Sequence, residues 1–439
     1  MVDAKERTLP LDSFLFPGIF QAFRMSIQPS KLVLAFAALA VICLTGWLMD
    51  TINPTVVTSG GVTELDTYRI GVPRQDDRIL PPAAKGTRTG VFRTLWNFDT
   101  RHLHSAVWAL FEPNIRRVIG NLLACFLALV WAFRYHTIYG LIFFAVVLAA
   151  MSLAGGAICR IAAMQFARGE RPGLTAAVRF SIRKFPSFFT APITPMIIIL
   201  VLGAVVMLLG LWGNIPVVGE LSVGLLLPFA FAAAAIIAVI AIGTLAGFSL
   251  MFPTIAYEDA ECFDAVSHSF SYVYAKPWRA GFYTVVAFVY GAIGYVFVRF
   301  FAFLLLWITY AFLQVGFMQE NEKLHAIWRE PTFGDLLGVS AAATADWSTS
   351  AAAFLVYFWV LIVVGLVVAF VISFYFSAST IVYALLRKRV DLIPIEDIYT
   401  YPEEAAAEPA TAQPATQESP AEGQAPSAAG PDQKAETSE

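Results

Sequence analysis

Charge is scarce in this chain of 439 residues: only 14% are Asp, Glu, Lys or Arg, against 58% hydrophobic. A soluble fold cannot bury so much apolar surface, and the mean hydropathy of +0.68 excludes one. Cysteine is scarce too. Cys43, Cys125, Cys159 and Cys262 stand singly, so no disulfide framework and no metal or redox spacing can be read from them. The signatures of known catalysis are missing: there is no HExxH, GxSxG, P-loop or GxGxxG, and no acidic cluster suited to a metal-bound phosphate. The sequence therefore offers no catalytic residue, no metal ligand and no cofactor, and its charge pattern does not point to nucleic acid. Among the five histidines only His102 and His104 lie close together. They are read as solvated residues of an interfacial helix, with a ligand pair as the alternative.

What the chain has instead is long uncharged runs, several beyond the 18 residues that cross a bilayer. The expected fold is all-α, a polytopic bundle of about six or seven spans. Candidate spans cover 32–50, 118–133, 137–166, 187–212, 221–254, 280–312 and 351–386. The expected organisation is an N-terminal interfacial segment (1–31), a first uncleaved span (32–52), a polar insertion (53–117), a membrane core (118–400) and a disordered acidic tail (401–439). The stretch LDSFLFPGIFQAFRM is aromatic and amphipathic and is placed on the membrane surface. The insertion holds turn-formers at Gly60-Gly61, Pro73 and Pro81-Pro82, then RTLWNFDTRHLHSAVWALFEP, read as an interfacial helix. Residues 318–350 read as a smaller surface loop. The tail carries eight acids and Lys434, a charge of −7 within a net −3, so the remainder is +4. Its Ala/Pro/Glu/Gln/Ser composition predicts disorder and leaves it free for a protein partner.

One short charged island, FPTIAYEDAECFDAVSHSFSYVYAKPW (252–278), interrupts the apolar runs. It has a twin 88 residues earlier. Glu170 falls on Glu258, Ala177-Val178 on Ala265-Val266, Ser181 on Ser269 and Gly155 on Gly243. A partial third copy sets Thr254-Ile255-Ala256-Tyr257 on Thr380-Ile381-Val382-Tyr383, and Gly243 and Gly247 on Ala369 and Ser373. These coincidences predict an internal repeat of long span, interfacial amphipathic helix and proline-entered span. The apolar stripe is expected at Cys262, Phe263, Val266, Phe270, Val273 and Tyr274 in one surface helix. In the other it is expected at Leu174, Val178, Ile182 and Phe185. The twins differ in sign: Arg168, Arg171, Arg179, Arg183 and Lys184 face Glu258, Asp259, Glu261 and Asp264 in the alignment. They are candidates for lipid or inter-repeat contacts, with two separate solvated faces as the alternative; a basic interfacial helix suits anionic lipids.

Gly155, Gly243, Gly247, Ala369 and Ser373 are expected to line helix-packing seams. Arg160 is expected to snorkel to the surface. Arg299 interrupts a long apolar run; twenty-two residues past Pro277, at about 1.5 Å each, it reaches the far interface. The alternative pairs Arg299 with Glu220 inside the membrane. Basic residues gather at the ends of the third, fifth and seventh spans, whereas 213–220 and 318–350 hold only Lys323 and Arg329. The basic end and the tail are therefore expected in the cytoplasm. Seven crossings would put the N-terminus outside; if 118–133 dips without crossing, the N-terminus is cytoplasmic and the insertion outside.

The runs GGAICRIAAMQFARGERPGLTAAVRFSIRKF, FPTIAYEDAECFDAVSHSFSYVYAKPWRAGFY and FYFSASTIVYALLRKRVDLIPIEDIY together resemble a family of uncharacterised polytopic membrane proteins of planctomycete-type bacteria. The likeness covers 118–400. More distantly, they are similar to the membrane domain of some glycerophosphodiester phosphodiesterases, without room for its catalytic barrel. The resemblance implies a multi-pass bacterial inner-membrane protein in contact with the lipid bilayer and brings no catalytic residue. The leading functional reading is a non-enzymatic scaffold or lipid- and protein-contacting module. The alternative is a transporter or lipid-handling protein using the repeat interface as its path.

Overall fold

The computed structural model describes residues 16–59, 62–70, 87–317, 321–338 and 346–400. The loop glycines and prolines at 60–61, 73 and 81–82 and the tail 401–439 lie outside those residues. A single 3₁₀ turn, Phe16–Phe20, leads into α1 (Gln21–Ser26) and α2 (Pro29–Ile52). A small antiparallel sheet follows, with β1 (Val56–Ser59) between β2 (Val62–Thr63) and β3 (Thr87–Thr89), and α3 (Glu64–Ile70) after β2. Then come α4 (Val91–Phe111), α5 (Ile115–Tyr135), α6 (Thr137–Arg168), α7 (Leu174–Arg183), α8 (Phe185–Thr190) and α9 (Thr194–Trp212). The chain ends in α10 (Val218–Glu258), α11 (Cys262–Ala275), α12 (Pro277–Gly316), α13 (Asn321–Ile327) and α14 (Trp347–Val390). Seven of these, α2, α5, α6, α9, α10, α12 and α14, are long and apolar enough to cross a membrane. The chain is an all-α multi-pass bundle.

Local chemistry sets the boundaries. Pro29 and Pro277 open α2 and α12 where a missing N–H costs nothing. Gly169 ends α6 at φ +77°, and Asp259 ends α10 at φ +57°. Pro192 and Pro195 divide the expected span 187–212 into α8 and α9, whereas Pro228 lies inside an unbroken α10.

α4 and α5 form an antiparallel hairpin. Asp50, at the end of α2, accepts from Phe92 N (3.0 Å), Arg93 N (2.9 Å) and the hydroxyl of Tyr139 (2.8 Å), which pins the start of α4 beside the start of α6. The other end of α4 puts Trp108 against Phe333 (6.2 Å) in the connection between α12 and α14. α5 returns alongside, with Asn121 donating to Ser105 (3.2 Å), and turns at His136 directly into α6.

The described part of the N-terminal stretch has two faces: Ile19, Ala22 and Met25 are buried against α12 and α14, while Phe20 and Ile27 are exposed. Phe23 is ringed by Tyr290, Phe297 and Phe370. Polar partners inside the bundle make this possible, since Tyr290 donates to Phe20 O (3.1 Å) and Ser373 to Ser26 O (2.9 Å). Irregular backbone is tolerated at membrane depth only when satisfied in this way.

The short helices turn only part of the expected stripes inward, Val266 and Val273 among them. In α11 the buried residues are Ala265, Val266, Ser269, Tyr272 and Val273, while Phe263 is 69% exposed. In α7 they are Ala177, Phe180 and Ser181, and Ile182 is 60% exposed. Small residues face the long helices because the approach is close. A Cβ on Gly247 would meet Ser269 and Phe270 at 3.4 Å, and one on Gly156 would come within 2.7 Å of Ser181 Oγ. Phe263 and Ile182 are left to the periphery, whereas Phe180 and Tyr272 are buried.

Candidate functional site

The ends of α6, α10 and α14 converge, and each helix brings the negative end of its dipole. Cations collect there for that reason. Lys184 donates to Asp259 O (2.7 Å), the residue that ends α10, and lies 3.2 Å from its carboxylate. Arg160 donates to Ala256 O (2.8 Å) in the last turn of α10, with its guanidinium over the Phe180 ring (4.6 Å). Arg387, in the last turn of α14, holds Glu258 Oε1 through Nε (2.9 Å). Glu258 is the hub. Its Oε1 also accepts from the Tyr383 hydroxyl (2.6 Å), and Oε2 lies 2.9 Å from His268 Nδ1.

Residues 391–399 cross this node as a strap. Tyr257 donates to Ile395 O (3.0 Å), Arg168 to Glu396 O (3.5 Å) and Ile398 O (3.3 Å), Arg387 to Asp397 O (2.6 Å) and Arg160 to Tyr399 O (2.8 Å). The amide of Tyr399 donates back to Tyr257 O (3.1 Å). Asp391 accepts from the Tyr272 hydroxyl; burial, and then this bond, push that phenol above its usual range. Within the strap the side chain of Ile398 is buried.

Of the expected site residues, Arg168, Lys184, Glu258 and Asp259 meet in this node. Arg171, Arg179, Arg183, Glu261 and Asp264 are exposed around it, Glu261 capping and Asp264 opening α11. Arg160 does not snorkel; it is fully buried. Sequence reading missed Tyr257, Tyr383, Arg387 and the buried Lys31, which donates to Gln165 (3.2 Å). The echo of Thr254–Tyr257 in Thr380–Tyr383 was the available signal, for the two tyrosine rings lie 5.7 Å apart.

The seam residues pack as small residues do. Gly155 faces the Phe376 ring and Gly243 faces Phe270 and Tyr274. Ala369 and Ser373 are fully buried.

Arg299 and Glu220 are not brought together. Arg299 donates to Phe333 O (2.9 Å), Gly334 O (3.2 Å) and the Tyr295 hydroxyl (2.8 Å), midway along α12. Glu220 is exposed in the first turn of α10. The pairing fails because loop carbonyls reach the guanidinium first. His102 and His104 are also separate: His102 Nε2 bonds Arg69 and its Nδ1 bonds Phe98 O (2.9 Å), while His104 accepts from Trp108 (2.8 Å). Burial, then the Arg299 charge, hold His104 below the usual imidazole range. Among the described residues no group of three His, Cys, Asp or Glu could hold a metal.

No family model, no curated protein and no solved structure matches the chain.

Proposed function

We propose that this chain is a non-enzymatic scaffold of a bacterial inner membrane, built on an internal repeat, with its basic end in the cytoplasm and its peripheral short helices among lipid headgroups. The filled interior carries the reading. Where α6, α10 and α14 meet, the space is occupied by Phe188, Phe252 and Phe376, with successive ring centroids 5.2 and 5.4 Å apart. The N-terminal wedge occupies the gap beside α12 and α14. A transport path would need Arg299 and Glu220 on a shared polar cavity, and neither residue is so placed.

The repeat is supported by the burial of its aligned residues. Ala177 and Ala265, and Ser181 and Ser269, are all fully buried against the preceding long helix. The Lys184–Asp259 pair joins the basic unit to the acidic one. The basic bias then orients the bundle: both termini are cytoplasmic, and the insertion with the α4–α5 hairpin is outside. The acidic tail is the part offered to a protein partner.

The test is thiol labelling with a membrane-impermeant reagent in a cysteine-free background. Arg299→Cys, Glu220→Cys and Asn121→Cys should all react from outside only, without protection by solutes. Reaction of 299 or 220 from both sides, or protection by a transported solute, would replace the scaffold with a transporter. Reaction of 121 from the cytoplasm would overturn the orientation.

A further inference from the structure

We propose that residues 391–399 are a displaceable strap seated in a phosphate-binding cleft, whose ligand is a phosphate ester presented by a lipid headgroup. The proposal rests on the lipid-contacting reading above.

The strap is gripped through its main chain. Its five successive carbonyls, from 395 to 399, accept from Tyr257, Arg168, Arg387 and Arg160. These neutral oxygens stand where the oxygens of a phosphate ester would sit. Guanidinium forks match phosphate geometry, and bonds to a charged acceptor are stronger and shorter than those to a carbonyl. The strap's own acids do not supply that charge: neither Glu396 nor Asp397 forms an ion pair with these arginines.

The side-chain hold is slight. Only Ile398 is buried and Ile393 and Ile395 are half-buried, while Asp391, Leu392, Pro394, Glu396, Asp397 and Tyr399 are exposed. The hinge is strained as well. Leu392 stands at φ +60° and is 83% exposed, so a non-glycine residue adopts the left-handed region without packing to compensate. The cleft also lies at the right place, at the ends of helices flanked by the exposed cations Arg171, Arg179 and Arg183. Lipid phosphate at that level would compete with the strap for Arg168 first, because its hydrogen bonds go to the strap alone.

Hydrogen exchange at the Tyr399 amide reads the seated strap, since that N–H is bonded to Tyr257 O. The full chain would be compared in three settings: phosphatidylcholine nanodiscs, nanodiscs containing phosphatidate, and phosphatidylcholine nanodiscs with inorganic phosphate in solution. Phosphatidate should speed exchange about tenfold, the signature of a lowered local opening energy. Arg168→Gln should remove the lipid-dependent part while the rest of the bundle keeps its protection. Equal acceleration by inorganic phosphate would support the cleft and assign it to a soluble phosphate. The same exchange in all three settings, or a lipid response unchanged in Arg168→Gln, would overturn the proposal. Either failure leaves the scaffold reading to the labelling at 299 and 220, which does not depend on the strap.

Discussion

Replacing Gly155 by alanine should destabilise the bundle, and the same change at Gly247 should not, although both residues belong to the small-residue seams. A Cβ on Gly155 would lie within 2.8 Å of three atoms of the Phe376 ring. That ring is confined, with Phe252 at 5.4 Å, Tyr375 at 5.1 Å, and its backbone carbonyl bonded by Thr380 (2.7 Å). Forcing an extra methyl into such a site costs about 1–3 kcal/mol. The gain in helix propensity on leaving glycine returns about 1 kcal/mol. The net loss for Gly155→Ala is therefore up to about 2 kcal/mol, from the difference of these two effects. At Gly247 the nearest atoms stand at 3.4 Å, ordinary contact, so only the propensity gain remains. Reversible unfolding in mixed detergent micelles reads both changes. In a Phe376→Ala background the Gly155→Ala effect should change sign, giving a coupling of at least about 1 kcal/mol. Equal losses at 155 and 247, or no coupling to 376, would refute the packing argument.

Glu258→Gln should cost about 3 kcal/mol, because it leaves the buried Arg387 without its carboxylate while Tyr383 keeps an acceptor; Glu258→Gln with Arg387→Met should recover part of that loss in the same unfolding assay. The α4–α5 hairpin should respond to pH through Asp99, whose carboxyl is raised from 3.8 to about 6, mainly by burial. The folded chain holds this proton more tightly than the unfolded one. Stability is therefore full below 3.8 and is lost as pH rises through about 6. Thermal midpoints at about pH 5 and about pH 8 should differ by the equivalent of about 1 kcal/mol, allowing for solvent screening, and Asp99→Asn should flatten the difference.

The spans were legible because length and apolarity define them with little help from context. Pro277 marked the start of α12 by backbone chemistry that acts locally. What could not be read depends on partners distant in sequence. Arg160 looked like a snorkelling residue until Tyr399, 239 positions away, supplied its acceptor. The N-terminal stretch has the pattern of a surface helix, and its buried face is tied down by Tyr290 and Ser373 in remote helices. The stripes of α7 and α11 were legible in part: Val266 and Val273 are buried, but Phe263 and Ile182 are exposed while Phe180 and Tyr272 turn inward. In a membrane an apolar side chain can face lipid, so periodicity alone does not say which apolar residues turn inward. The strap reads in sequence as a polar exit from α14. Nothing local shows that its carbonyls, rather than its acids, are what the arginines hold.

The filled interior is the central claim, and solvent access to it is the most direct test. Single cysteines at Thr254 and Thr380, both fully buried, would be placed in a cysteine-free chain, with the exposed Ser267 as the control. An impermeant thiol reagent applied to either side of reconstituted membranes should label 267 and leave 254 and 380 untouched until the protein is unfolded. Labelling of 254 or 380 in the folded protein at a rate near that of 267 would show a water-filled path, and the scaffold account would be wrong.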